Sequence, residues 1–180
     1  MKEKTLESKV IFEGKVIKVR VDKVQLPDGS LSEREIVERL DGVSILPITA
    51  DYKVLLIKQY RHAIGKVIYR LPGGSINKKD KSPEEAAQRE LFEELGYKAK
   101  KLDFLFDSGG SGTIKQTVYH YLATGLYVPN EERLKDNELL EIFPTDLNEA
   151  VKMALEAQFP NPAFSLMILM VEDRLNKKAF

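Results

Sequence analysis

The sequence predicts an α/β protein in which a mixed β-sheet lies between helices and an antiparallel β extension precedes this body. Alternating apolar and polar residues in the N-terminal segment predict strands, short continuous apolar runs predict buried strands, and capped amphipathic segments predict helices. With 180 residues, of which 43% are apolar and 31% charged, the chain is long enough for one globular body with a substantial core.

Residues 1–41 form the expected extension. Alternation over 17–22 and the turn sequence Pro27-Asp28-Gly29 predict two strands, the second at about 32–39. Because this segment is too small to build a core alone, we expect it to dock onto a main body of residues 42–180.

The main body begins with two apolar runs, 43–48 and 54–57, separated by a short turn. We interpret them as a hairpin of central strands that are covered on both faces. Further elements are expected in chain order: strands at 67–70, 102–106, 116–123 and 139–143, then a helix capped by Asp146 and a helix that starts at Asn161-Pro162.

A helix over 83–95 has the clearest boundaries in the chain. Ser82 is a good N-cap, Pro83 suits the first helical position, and Glu85 completes a capping box. Gly96 suits the left-handed position that ends a helix. These local signals predict both ends of the helix.

Three acids lie at the wrong end of this helix for its dipole. Glu90, Glu93 and Glu94 stand at i, i+3 and i+4 on one face. Like charges at this spacing cost about 0.2–0.5 kcal/mol per pair, and an acid near a helix C-terminus loses about 0.3–1 kcal/mol to the dipole. The alternative is a solvated acidic face, but such a face would carry its acids first. The pattern therefore predicts a bound cation such as Mg²⁺, which takes carboxylate oxygens and substrate phosphates as ligands.

The segment 71–97 resembles the signature box of the Nudix hydrolases, which cleave nucleoside diphosphates linked to another moiety. The resemblance rests on Leu71-Pro72-Gly73-Gly74 and on Arg89-Glu90-Leu91-x-Glu93-Glu94-x-Gly96-Tyr97. It implies the Nudix fold and a Mg²⁺ ion, for which Mn²⁺ can substitute. The metal ligands that it implies are the carbonyl of Gly73 and the side chains of Glu90, Glu93 and Glu94. Glu94 would also take part in catalysis, Arg89 would orient the carboxylates, and Gly74 would approach the substrate.

The chain departs from the family pattern just before the helix. The family places a glutamate at a set distance before the arginine, and this position is Lys81 here. Counting forward from Gly74 leads instead to Asp80. We interpret the loop as one residue longer than usual, with Asp80 as a partial substitute for the glutamate.

Nearly the whole chain resembles one branch of that family, the ADP-ribose and nucleotide-sugar pyrophosphatases. The shared features are the β extension, the phrase Val54-Leu55-Leu56-Ile57-Lys58-Gln59-Tyr60-Arg61, and an acid-bearing loop followed by a strand and two helices. The resemblance implies hydrolysis of ADP-ribose or a related nucleoside diphosphate sugar to a nucleoside monophosphate and a sugar phosphate. It also implies a homodimer that exchanges the extension, so that each site borrows residues from the partner.

Further site residues follow from this resemblance. Arg61 would contact the substrate phosphates, and a guanidinium fork suits that task. Arg34, Glu35 and Arg39 lie where the branch gathers its nucleobase contacts, although ordinary surface charge is the alternative for each. Glu138 is the first candidate for the catalytic base and Glu141 is the second.

Composition restricts the function classes. Zero net charge argues against a general nucleic-acid or anionic-membrane binder, and the absence of cysteine excludes disulfides, thiolate metal sites and cysteine nucleophiles. Because no long apolar segment occurs, we expect a cytoplasmic protein without a membrane anchor. The sequence leaves open a GDP- or UDP-sugar pyrophosphatase, and a Nudix-fold module that binds nucleotides with little hydrolysis. An enzyme acting on RNA ends is least compatible with the neutral charge.

Overall fold

The computed structural model describes residues 2–131 and 140–178. This part of the chain contains ten strands and three α-helices. In chain order they are β1 (Lys4–Glu13), β2 (Ile17–Gln25), β3 (Leu31–Arg39), β4 (Gly42–Pro47), β5 (Lys53–Arg61), β6 (Lys66–Arg70), α1 (Pro83–Leu95), β7 (Lys98–Gly109), β8 (Ile114–Lys115), β9 (Thr117–Tyr127), β10 (Leu140–Asp146), α2 (Leu147–Leu155) and α3 (Pro162–Lys178).

The fold class predicted from the sequence is confirmed. The main body has two three-stranded sheets, with strand orders β10-β5-β6 and β4-β9-β7, and β4 runs parallel to β9. Alternate side chains of β4 and β5 point to opposite faces, because a strand has a period of two residues. Ile45 and Ile57 belong to the core under α1, whereas Leu46 and Leu56 belong to the core under α2 and α3. The sheets therefore lie between helices on both sides.

The predicted hairpin of 43–48 and 54–57 is wrong in its pairing. β4 pairs with β9, and β5 pairs with β10 and β6. The isolated bridge Ile48↔Val54 joins the two strands at the turn. A continuous apolar run predicts that both faces of a strand are buried, but it does not identify the neighbouring strand.

The extension forms a four-stranded sheet of order β1-β2-β3-β8. β2 is antiparallel to β1 and β3, as expected for this segment. β8 was not predicted: it comes from the main body and pairs in parallel with β3 through Val37↔Ile114 and Glu38↔Lys115. This short strand fastens the extension to the main body.

Helix α1 covers the predicted range. Ser82 Oγ accepts a hydrogen bond from Glu85 N at 3.3 Å, and Gly96 has a φ of 77° after the last turn. The Glu85 carboxylate accepts from Lys81 N at 2.6 Å, one residue earlier than in the usual capping box. The caps therefore hold the acidic helix in place. Among the described residues, no helix combines the length and the apolar character needed to cross a membrane.

Candidate metal and phosphate site

The Gly73–Gly74 turn lies across the acidic face of α1. Pro72 O accepts a hydrogen bond from Ile45 N at 2.9 Å and Gly74 O accepts one from Val43 N at 2.9 Å, so β4 anchors the turn on both sides of the Gly73 carbonyl. Gly73 has a φ of 151°, and a Cβ there would lie 2.2 Å from Val43 O. Glycine is required at this close approach.

The absence of a side chain at Gly74 leaves space for the Glu90 carboxylate. A Cβ at this position would stand 2.4 Å from Glu90 Oε1. Glu90 itself is only 8% exposed. The two glycines therefore let the backbone approach the acidic helix where any side chain would interfere.

Arg89 connects the carboxylates of α1 to the loop before it. Its Nη1 donates to Glu90 Oε1 and to Glu93 Oε2, both at 2.8 Å. Its Nε and Nη2 donate to the two oxygens of Asp80 at 3.0 and 2.9 Å. Nη2 also donates to Ser75 O at 2.9 Å. This geometry is what an orienting arginine needs.

The loop before α1 places Asp80 next to Arg89. The Asp80 side chain is 4% exposed, and the bonds from Arg89 hold its pKa below the usual range. Lys81 is exposed and contributes its backbone N–H to the helix cap. Asp80 thus occupies the position beside Arg89, and Lys81 does not.

Arg70, a buried arginine that the sequence analysis missed, binds Glu94, the last of the three acids on α1. Arg70 donates to Glu94 Oε1 at 2.5 Å and to Glu94 Oε2 at 3.1 Å, and both side chains are less than a tenth exposed. Gly73 N also donates to Glu94 Oε2, at 2.9 Å. Arg70 is held further by Gln59 Oε1 at 2.7 Å and by Leu71 O at 3.1 Å. An arginine at the end of an otherwise apolar strand, directly before Leu-Pro-Gly-Gly, was the available signal.

The site gathers several charges at close range. Among the described residues, Arg70 and Arg89 bind four carboxylates around the turn. Burial raises the pKa of Glu90 to about 7, against the opposing effect of Arg89, and the charges of Glu94 and Glu93 add to the rise. A divalent cation at these carboxylates would favour the ionised form of Glu90.

The donor chemistry fits a hard divalent cation, since buried carboxylate oxygens next to a backbone cradle are ligands that Mg²⁺ accepts. The side chains are nevertheless directed at arginines. Within residues 2–131 and 140–178, no three His, Cys, Asp or Glu side chains form a group that could hold a metal ion as they stand. A cation at these carboxylates would therefore compete with guanidinium contacts. The ligand set Gly73, Glu90, Glu93 and Glu94 stays a prediction.

A cleft of about 270 Å³ lies directly in front of the turn. It brings together Arg39 from the end of β3, Arg61 from the end of β5, and the Gly73–Gly74 turn. Its lining also includes Arg70, together with Gln116, Asn161 and Phe164, which the sequence analysis did not assign to the site. Several guanidinium groups around one cleft suit a diphosphate, because each can form two parallel bonds to phosphate oxygens.

Among the described residues, a larger open groove of about 950 Å³ shares none with this cleft. The described part of its lining includes Asp51, Asp146 and Glu149 but no arginine. Because acidic side chains repel phosphate, the smaller cleft is the better candidate site.

Several predicted residues do not line the cleft. Arg34 lies on the opposite face of β3 from Arg39 and binds Glu3 at 2.6 Å, and Glu35 lies outside the lining. Glu141 pairs with Lys58 at 3.3 Å across β10 and β5, and its side chain is 63% exposed. Glu138 lies outside the described residues.

Comparisons with known proteins cover both parts of the chain. The family model described as NUDIX domain matches residues 38–166, and the model described as nucleoside diphosphate sugar hydrolase N-terminal domain matches residues 3–37. The ADP-ribose pyrophosphatase of Bacillus subtilis is 35% identical over 179 residues, which cover 97% of this chain and 96% of the relative. The methanol dehydrogenase activator of Bacillus methanolicus is 32% identical over 180 residues, covering 98% and 97%.

A solved structure described as an ADP compounds hydrolase has the same fold. It superposes with a TM-score of 0.84 and covers 99% of this chain and 96% of its own, at 22% sequence identity. The similarity therefore extends to the β extension as well as to the main body.

Proposed function

Because the chain belongs to the Nudix hydrolase family, we propose that it is a Mg²⁺-dependent pyrophosphohydrolase of nucleoside diphosphate sugars, with ADP-ribose or a close analogue as substrate. The products would be a nucleoside monophosphate and a sugar phosphate. The observation that carries this proposal is the single cleft in which Arg39 and Arg61 face the Gly73–Gly74 turn, beside the carboxylates of Glu90 and Glu94. The printed names of the full-length relative from Bacillus subtilis and of the solved structure also support it.

The residues would divide the work of binding. Arg39 and Arg61 would hold the diphosphate through charge-assisted hydrogen bonds. Glu90, Glu93 and Glu94, with the carbonyl of Gly73, would hold the divalent ion. Nudix hydrolases generally use such ions. When bound, Mg²⁺ or Mn²⁺ would neutralise phosphate charge and lower the pKa of a bound water.

The attacking water must lose a proton, and a carboxylate can act as the general base. We propose Glu138 for this role and keep Glu141 as the second candidate. Glu141 would first have to leave Lys58, with which it pairs at the surface. We expect E138Q to lower kcat with little change in metal affinity and E141Q to have a smaller effect. A larger loss of kcat in E141Q would reverse the assignment.

We also propose that the protein is a cytoplasmic homodimer that associates through the extension. β1 is exposed along its whole length, and its apolar residues Leu6, Ile11 and Phe12 are 47%, 57% and 54% exposed. Exposed apolar side chains on an edge strand favour association with a second chain. Arg34 and Glu35, which do not line the cleft of their own chain, would then be available to the partner's site.

A substrate panel tests the proposal. The protein would be incubated with Mg²⁺ and with ADP-ribose, other ADP-sugars, and GDP- and UDP-sugars, and the products would be identified by mass spectrometry. Reaction in ¹⁸O-water identifies the phosphorus atom that receives the oxygen. We expect ADP-ribose or a related sugar to be cleaved and E94Q to lose most turnover, with circular dichroism checking that the variant is folded. Tight binding without cleavage of any compound would indicate a binding module instead.

A further inference from the structure

Arg70 contacts both Glu94 and the cleft. Its guanidinium forms a two-pronged pair with the Glu94 carboxylate, and the same side chain lines the cleft in front of the glycine turn. It is 4% exposed, so water screens its charge only weakly. Gln59 and Leu71 O hold Nε and Nη1 from the other side.

A divalent cation and this guanidinium compete for one carboxylate. Both oxygens of Glu94 accept hydrogen bonds from Arg70, and Oε2 also accepts one from Gly73 N. A carboxylate has about four lone-pair positions, so most of those on Glu94 are already used. A cation that binds both oxygens of Glu94 must replace bonds to Arg70, and any cation at Glu94 also approaches a buried positive charge.

We propose that Arg70 is an internal counter-ion of the metal site and a positioning residue for Glu94. It holds Glu94 before the metal ion binds, opposes the ion through its charge, and gives up bonds to Glu94 when the ion takes that carboxylate. Because Gln59 and Leu71 O retain the guanidinium, it stays in the lining of the cleft after this exchange. The inference rests on the proposed function, since it takes Glu94 as a metal ligand.

Titration of the substrate-free full chain with Mn²⁺, followed by electron paramagnetic resonance of the unbound ion, tests this role. We expect R70Q to bind Mn²⁺ at least about tenfold more tightly than the wild type, because a positive charge near the ion is removed. R70K is the matched control: it keeps the charge but loses the fork, so its dissociation constant should stay within about threefold of the wild-type value. A folded R70Q protein that binds Mn²⁺ equally or more weakly overturns the inference.

A second measurement needs no folded R70Q variant. In the wild type, the ¹⁵N–¹H signals of Arg70 Nη1 and Nη2, the groups that donate to Glu94, should shift as Mg²⁺ is added and should saturate together with metal binding. They are assigned by their loss in R70K. Unchanged signals at saturating Mg²⁺ overturn the exchange. Wild-type protein that binds neither ion refutes the proposed function itself, whereas wild-type binding that R70Q leaves unaltered refutes only the role of Arg70.

Discussion

Replacement of Asp80 by alanine tests whether Asp80 anchors Arg89. The Asp80 carboxylate accepts two bonds from Arg89, at 3.0 and 2.9 Å, and one from Asn77 N at 2.7 Å. Hydrogen bonds to charged groups contribute about 1.5–3 kcal/mol each, but Arg89 is 24% exposed and keeps its other partners. We therefore expect D80A to lower the free energy of unfolding by roughly 2–4 kcal/mol.

Urea denaturation of the metal-free protein measures this loss, since the midpoint falls while the slope stays constant. K81A is the control, because the Lys81 side chain is exposed and only its backbone N–H contributes to the cap. It should change the free energy of unfolding by no more than about 0.5 kcal/mol. Equal losses in D80A and K81A would refute the assignment of Asp80 as the anchor of Arg89.

Two further predictions concern the glycine cradle and a buried histidine. G74A should weaken Mn²⁺ binding by about tenfold or more, because its methyl group would stand 2.4 Å from Glu90 Oε1. The control G112A should bind like the wild type, because a Cβ there would meet nothing within 4 Å. Equal affinities of the two variants would contradict the prediction. Burial lowers the pKa of His120 from 6.5 to about 4, so between these values the unfolded chain binds a proton that the folded chain does not. Acidification over this range should therefore reduce the free energy of unfolding, measured by urea denaturation, by about 3 kcal/mol more in the wild type and in H62N than in H120N. H62N is the control, because His62 is exposed. Parallel profiles would refute this prediction.

The positions of strands and helices along the chain were easier to predict than the pairing between strands. Strands β2 and β3 and the helix over 83–95 appear close to where the sequence predicts them, because alternation and caps act between residues close in the chain. Strand β1 was not predicted individually. The supposed hairpin at 43–48 and 54–57 failed because strand partners depend on packing between distant segments. β8 was missed for the same reason: two residues in a glycine-rich region carry no pattern, and only β3 makes them a strand.

In the candidate site, too, the sequence predicts local features and the tertiary structure determines the distant contacts. Spacing alone places Glu90, Glu93 and Glu94 on one helix face, because side chains three and four residues apart are neighbours on any α-helix. The fold decides what faces these acids. It brings Arg70 to Glu94 across 24 residues of sequence and Asp80 to Arg89 across nine. Such contacts arise when separate strands and turns pack together, so their partners cannot be read from local propensity, and they determine how a cation would enter the site.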